Sequence, residues 1–371
     1  MACFVLVAFL SVGVHAETLT DRLNDLLDNW NVKGGPGMAA VLIRDGKIAY
    51  QKTFGLADLE AHTAIRRNTQ FLLASVTKQF TAMAILMLVE QHKLRLEDRL
   101  ATFCPEFPAY APTITIRHLL NHTAGLTQYE ELLIGKQLPE NYFRSSKSPP
   151  APHEFTAAEA LRVLSRQETL RFPPGERFEY SDSAYVVLAQ IIERVTGERY
   201  AEFLKERIFD PLGMKDTLVV DERKQKVPRL ALAYERGPDD WKDITYTPEN
   251  SIYGEDGIYS TVDDLYRWDQ ALYTERLVGR ATLEMAFTPG LNNEGKEIVT
   301  DILSRPSSYG FGWFISSLNG EKDEEHPGGW SGYVTYILRL PSRRLTAIVL
   351  SNSSNGDVPE IAQEMVEMAM N

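Results

Sequence analysis

The chain has 371 residues, 44% apolar and 24% charged, a composition that suits a folded protein with a sizeable core and excludes low-complexity or collagen-like chains. Its 39 basic and 51 acidic residues leave a net charge of −12. Nucleic-acid binding needs a cationic face for the phosphates, so no nucleic-acid partner is expected.

Residues 2–14 (ACFVLVAFLSVGV) carry no charge and are too few to span a bilayer. Val14-His15-Ala16 follows, with small residues where a signal peptidase reads, and then polar Glu17. Residues 1–16 are therefore expected to be a cleavable export signal, with the protein periplasmic or secreted. No Lys or Arg precedes the apolar run, so a buried first strand is the alternative reading. Cleavage would remove Cys3 and leave Cys104 alone, and a lone cysteine forms no internal disulfide. No later apolar run is long enough for a membrane helix, and no stable membrane span is expected.

After the signal, Leu23, Leu26, Leu27 and Trp30 recur at helical spacing. Residues 38–43 and 48–50, joined by Arg44-Asp45-Gly46-Lys47, read as a β-hairpin, because Asp-Gly supplies positive φ. The middle, roughly residues 75–268, carries mostly helical patterns broken by long polar loops. The longest irregular stretch, 138–153, contains Pro149, Pro150 and Pro152, which oppose helix and central strand alike. In the C-terminal third, residues 309–317, 333–340 and 345–351 read as strands, with a turn at 341–344, and residues 359–370 read as a closing amphipathic helix. Strands at both ends and helices between predict an α+β fold: one antiparallel sheet built by both chain ends, flanked by helices, with a mostly helical subdomain inserted. Residues 17–371 are expected to form a single domain.

Three short motifs carry chemistry. Ser75-Val76-Thr77-Lys78 opens an apolar helical segment, and on a helix i and i+3 share a face, so the Ser75 hydroxyl would neighbour the Lys78 ammonium. A serine becomes a nucleophile when an adjacent base takes its proton, and a buried lysine can act as that base. By composition alone, Ser-x-x-Lys arises about once by chance in a chain this long, and a capping serine beside a surface lysine is the alternative. Tyr180-Ser181-Asp182 precedes a second apolar helix. A tyrosine beside a lysine can serve as general acid and base, or Ser181 or Asp182 simply caps the helix. His326-Pro327-Gly328-Gly329-Trp330 leads into a strand. Its glycines would let substrate approach the backbone, or would merely form a turn.

Taken in order, these motifs resemble the serine β-lactamase and penicillin-binding-protein superfamily, on the side of class C β-lactamases, D-alanyl-D-alanine carboxypeptidases and family VIII carboxylesterases. That family carries Ser-x-x-Lys, Tyr-x-Asn (or Ser), and a Lys, His or Trp followed by x-Gly. Residues 116–126 (IRHLLNHTAGL), 209–214 (FDPLGM) and 257–265 (GIYSTVDDL) are also similar. The resemblance implies a β-lactamase/transpeptidase-like fold and an acyl-enzyme on Ser75, with Lys78 and Tyr180 shuttling protons. It implies an oxyanion hole from the N–H groups of Ser75 and Gly329, with Gly328 beside it. His326 would hold a substrate carboxylate or orient the Tyr180 hydroxyl. Neither cofactor nor metal is implied.

One departure is Asp182, where the family usually has Asn. An ionised carboxylate cannot donate to a substrate carbonyl, and beside Lys78 it would favour the charged amine, shifting proton transfer toward Tyr180. Peptide, lactam and ester substrates all remain open: His326 resembles the D-alanyl-D-alanine carboxypeptidase side more than β-lactamases, where Lys is usual, and Asp182 leaves room for a family VIII-type esterase. The rival from another class is a module that binds penicillin or wall peptides without turnover, against which Ser75, Lys78 and Tyr180 argue. Gly-x-Ser-x-Gly is absent, and the Gly35–Ala40 match to a dinucleotide fingerprint precedes a strand instead of following one. His118 and His122 lie four apart but lack the Glu of a zinc motif, so no metal site is expected.

Overall fold

The computed structural model describes residues 17–135, 142, 144–147, 154–221, 225–238, 240–354 and 356–370. The expected signal, residues 1–16, and most of the irregular 138–153 stretch lie outside the described residues.

The sheet has seven antiparallel strands: β1 Met38–Arg44, β2 Lys47–Phe54, β3 Ser308–Tyr309, β4 Phe314–Leu318, β5 Glu321–Trp330, β6 Tyr333–Leu340 and β7 Leu345–Ser351. Their spatial order is β3-β4-β5-β6-β7-β1-β2, so the N-terminal hairpin adds to an edge made by the C-terminal strands. Asp45 (φ 51°) and Gly46 (φ 75°) are the two consecutive left-handed residues that the tight β1–β2 turn requires.

Both faces of the sheet are covered. Along β1, Met38, Ala40 and Leu42 pack with Leu23, Leu26 and Leu27 of α1 (Leu19–Asp28) and with Ile361 and Met365 of the closing helix (Val358–Met370). The alternate residues Ala39, Val41 and Ile43 enter a larger core on the other face. A strand buried on both sides reads as a continuous apolar run, as residues 38–43 do. Helix α1 starts where Thr18 and Asp21 form a reciprocal capping box.

The larger core holds α2 (Lys78–Glu90), α3 (Asp182–Thr196) and α4 (Val262–Ala271). The span between the two parts of the main sheet also contains a small three-stranded sheet, ordered Phe71–Leu72, Ile258–Ser260, Leu218–Val219, which the helical patterning did not reveal. Among the described residues, no helix is long and apolar enough to cross a membrane.

Two element boundaries differ from those expected of the sequence. Residues 309–317 are not one strand: the chain turns through residues 310–313, where Gly310 N–H bonds the Trp313 carbonyl at 2.8 Å, and β3 and β4 pair as a hairpin. His326 to Trp330 do not lead up to a strand but lie inside β5, and the turn falls at Ser331 (φ 48°) and Gly332 (φ 82°).

Candidate active site

Ser75 lies in a 3-10 turn, Ala74–Thr77, that runs directly into α2. Ala74 takes a left-handed φ of 48°, a conformation that costs a non-glycine residue free energy and is retained only where the surroundings impose it. The surroundings here are β5 and β6. Thr335 Oγ1 donates to the Leu73 carbonyl at 2.7 Å. A side chain on Gly328 would sit 2.3 Å from that same carbonyl oxygen, so only glycine lets β5 pass this closely. Its neighbour Gly329 faces open space, with nothing within 4 Å of where a Cβ would be.

Lys78, the first residue of α2, is completely buried, and its ammonium is saturated with partners. It lies 2.9 Å from Ser75 Oγ, 2.6 Å from Asp182 Oδ1 and 3.1 Å from the Glu255 carbonyl oxygen. The Glu255 carboxylate is 3.6 Å away. Burial alone would lower the Lys78 pKa, but Asp182, with help from Tyr180 and Glu255, raises it well above the ordinary lysine value. Lys78 therefore rests as an ammonium.

Asp182 reaches Lys78 because of where α3 begins. Ser181 is the N-cap, its Oγ accepting from Ala184 N–H at 3.2 Å, and Asp182 is the first helical residue, its carboxylate freed from capping. Tyr180 precedes the cap. Lys78 Nζ sits 5.0 Å from the Tyr180 ring centroid. The Tyr180 hydroxyl is buried and makes no hydrogen bond of good geometry. Burial pushes its pKa up to about 12, with Lys78 and Ser75 pulling it back, so the phenol is neutral at pH 7. The motifs expected from sequence thus meet at one point: Ser75, Lys78, Tyr180 and Asp182 are in mutual reach, with Gly328 and Gly329 on the adjoining strand.

His326 lies farther back. It is fully buried, with Nε2 3.0 Å from Tyr309 Oη and Nδ1 2.6 Å from the Pro327 carbonyl, and burial together with Lys78 lowers its pKa to about 3. A neutral ring engaged at both nitrogens carries no charge for a substrate carboxylate. Its ring centroid is 6.2 Å from that of Tyr180, so its reach to that residue is through aromatic packing.

Sequence reasoning missed an acidic surround. Glu255, Asp256 and Glu130 all feel Asp182 and Lys78, and burial raises Asp256 to about 7 and Glu130 to about 8. Tyr129 Oη donates to Glu255 Oε1 at 2.9 Å. Residues 254–257 come from a loop with no periodicity to flag them, although the similar stretch 257–265 begins beside them. Among the described residues, no group of acidic, His or Cys side chains is arranged to hold a metal ion. His118 and His122 part company: His118 caps Thr115 N–H, whereas His122 packs beneath Tyr180.

A family model described as Beta-lactamase matches residues 23–369. The chain belongs to the beta-lactamase family. Like its homologues there, it is a serine hydrolase. It is 34% identical over 353 residues to "Penicillin-binding protein 4*" of Bacillus subtilis (strain 168), covering 91% of this chain and 71% of that protein. It is 28% identical over 344 residues to "D-aminopeptidase" of Brucella anthropi, covering 91% of this chain and 59% of that protein, so this beta-lactamase-family chain spans little more than half that relative's length. An octameric penicillin-binding protein homologue from Pyrococcus abyssi superposes with a TM-score of 0.77 at 26% identity, covering 94% of this chain and 77% of that one.

Proposed function

We propose that this beta-lactamase-family enzyme is exported and hydrolyses amide bonds of short D-amino-acid peptides through an acyl-enzyme on Ser75. The observation that carries the reading is the Ser75–Lys78–Asp182 chain of contacts at 2.9 and 2.6 Å, with the buried Tyr180 hydroxyl beside it. The name of one relative, D-aminopeptidase, supports an amide substrate bearing a D-residue, and the uncharged run 2–14 supports export.

Because Lys78 rests charged, it can take the Ser75 proton only by handing one of its own to Asp182. Ser75 Oγ then bonds to the substrate carbonyl carbon as its proton moves to Lys78 Nζ and a Lys78 proton moves to Asp182. Tyr180, a neutral phenol, gives its proton to the departing amine as the C–N bond breaks, and regains one from the Lys78–Asp182 pair. Water repeats the sequence in reverse roles to release the acid.

A second reading, an esterase, is favoured by the same ion pair, since an activated ester needs less proton assistance. Turnover of a D-alanyl-D-alanine peptide, D-alaninamide, benzylpenicillin and p-nitrophenyl acetate separates the two. The amide reading expects multiple turnovers of a D-amide substrate, with Tyr180→Phe costing the amide more than the p-nitrophenyl ester. Turnover of the ester alone would replace it with the esterase, and a single stoichiometric adduct with no turnover would replace it with a binding module.

A further inference from the structure

His122 takes part in none of these steps, yet it holds the residues on both sides of Tyr180 and one face of its ring. Its carbonyl accepts from Glu179 N–H at 3.0 Å and its ring Nδ1 accepts from Ser181 N–H at 3.0 Å, so the residues before and after Tyr180 are both tied to it. Between these two bonds the imidazole stacks on the Tyr180 ring, with centroids 4.4 Å apart and planes 29° from parallel. Tyr185 at 5.0 Å and Tyr309 at 4.6 Å pack against the same imidazole. The ring is completely buried and its backbone is left-handed, with φ 58°. Of the common side chains, His, Asn and Asp adopt that conformation most readily. With Nδ1 accepting, the ring proton is on Nε2, which has no partner of its own. Burial, Lys78 and His326 hold its pKa well below the usual histidine value, so the clamp stays neutral across the working range.

We propose that His122 is the positioning residue of Tyr180: two hydrogen bonds fix the backbone on either side of the tyrosine and the stacked imidazole fixes its ring over Ser75 and Lys78. The inference rests on the reading of Tyr180 as the proton-transfer group. Catalysis by a positioned acid or base is worth about 10²–10⁴-fold, and a misplaced group forfeits much of that.

The test is a double-mutant cycle on phenyl acetate, an ester whose leaving group still gains from protonation. Active sites are counted by fluorophosphonate titration of Ser75, so that only folded enzyme enters the rate. His122→Asn keeps a side chain suited to the left-handed backbone but removes the ring. His122→Phe keeps a ring and removes the acceptor. Each is expected to lower kcat by about 10- to 100-fold with KM changed less than about threefold, and to change kcat less than about twofold when Tyr180→Phe is already present. Equal losses with and without Tyr180→Phe, or no loss in either background, would overturn the proposal. If Tyr180→Phe alone costs nothing, Tyr180 is not the proton-transfer group, and that reading falls together with the positioning role.

Discussion

Lys78 is a buried cation whose position is tolerable only because three acceptors surround it, and the chemistry follows from that solvation. An isolated ammonium in such a place would lose its proton, whereas Asp182 at 2.6 Å keeps it charged. Ser181 does the capping that Asp182 would otherwise share, so the carboxylate belongs to the lysine and not to the helix end. Asp182→Asn removes the counter-charge, lets Lys78 shed its proton more easily and adds an amide donor for a substrate carbonyl. Acylation by benzylpenicillin relative to p-nitrophenyl acetate is then expected to rise several-fold to about tenfold, the scale of a hydrogen bond near 1 kcal/mol. Pre-steady-state acylation rates on both compounds check it, and an unchanged ratio would separate Asp182 from substrate preference.

At the scale of elements, the Ser75 turn is set by a strand and not by its own helix. β5 runs against Leu73 and Ala74, and the space there admits Gly328 but no side chain. Gly328→Ala should displace the Ser75 turn and cut kcat/KM by at least about 100-fold, because a shift near 1 Å at the reacting atoms costs that much. Gly329→Ala meets open space and should leave the thermal midpoint nearly unchanged; kinetics and melting of the two variants side by side test the contrast.

The sequence EKDEEHPGGW hid this strand, since three consecutive acids before a proline look like a solvated loop. The acids are instead inside and paired. Arg339, itself 1% exposed, donates to Glu324 at 2.6 Å, while Arg305 reaches Asp323 and Glu325. By contrast β1, β6, β7, α1 and the closing helix were legible because each carries a mostly apolar run or a helical stripe. Ser75, Lys78 and Tyr180 were legible through motif spacing, whereas Glu130, Glu255 and the role of His122 depend on contacts between segments distant in sequence.

Over the whole molecule, these buried groups predict how stability varies with pH. Asp256 at about 7 and Glu130 at about 8 hold protons more tightly when folded than when unfolded, so stability falls as pH rises from their unfolded values toward those pKa values. His326 at about 3 and His118 at about 4 do the opposite: the unfolded chain binds their protons first, and stability falls as pH drops below about 6.5. The two trends offset one another between about pH 4 and 6.5, and above that the carboxylates act alone. The melting temperature is therefore expected to decline by about 3 °C or more between pH 6.5 and 8, less so in Asp256→Asn. Calorimetric scans across that range would contradict the assignment if the wild-type midpoint were flat. The whole reading turns on Ser75 as the covalent nucleophile, and intact-mass spectrometry after brief exposure to benzylpenicillin, p-nitrophenyl acetate and a D-alanyl-D-alanine peptide tests it most directly. The expected result is a one-equivalent acyl adduct from at least one of the three, mapped by peptide fragmentation to Ser75 and absent from Ser75→Ala. An adduct on another residue, or full turnover by Ser75→Ala, would contradict it.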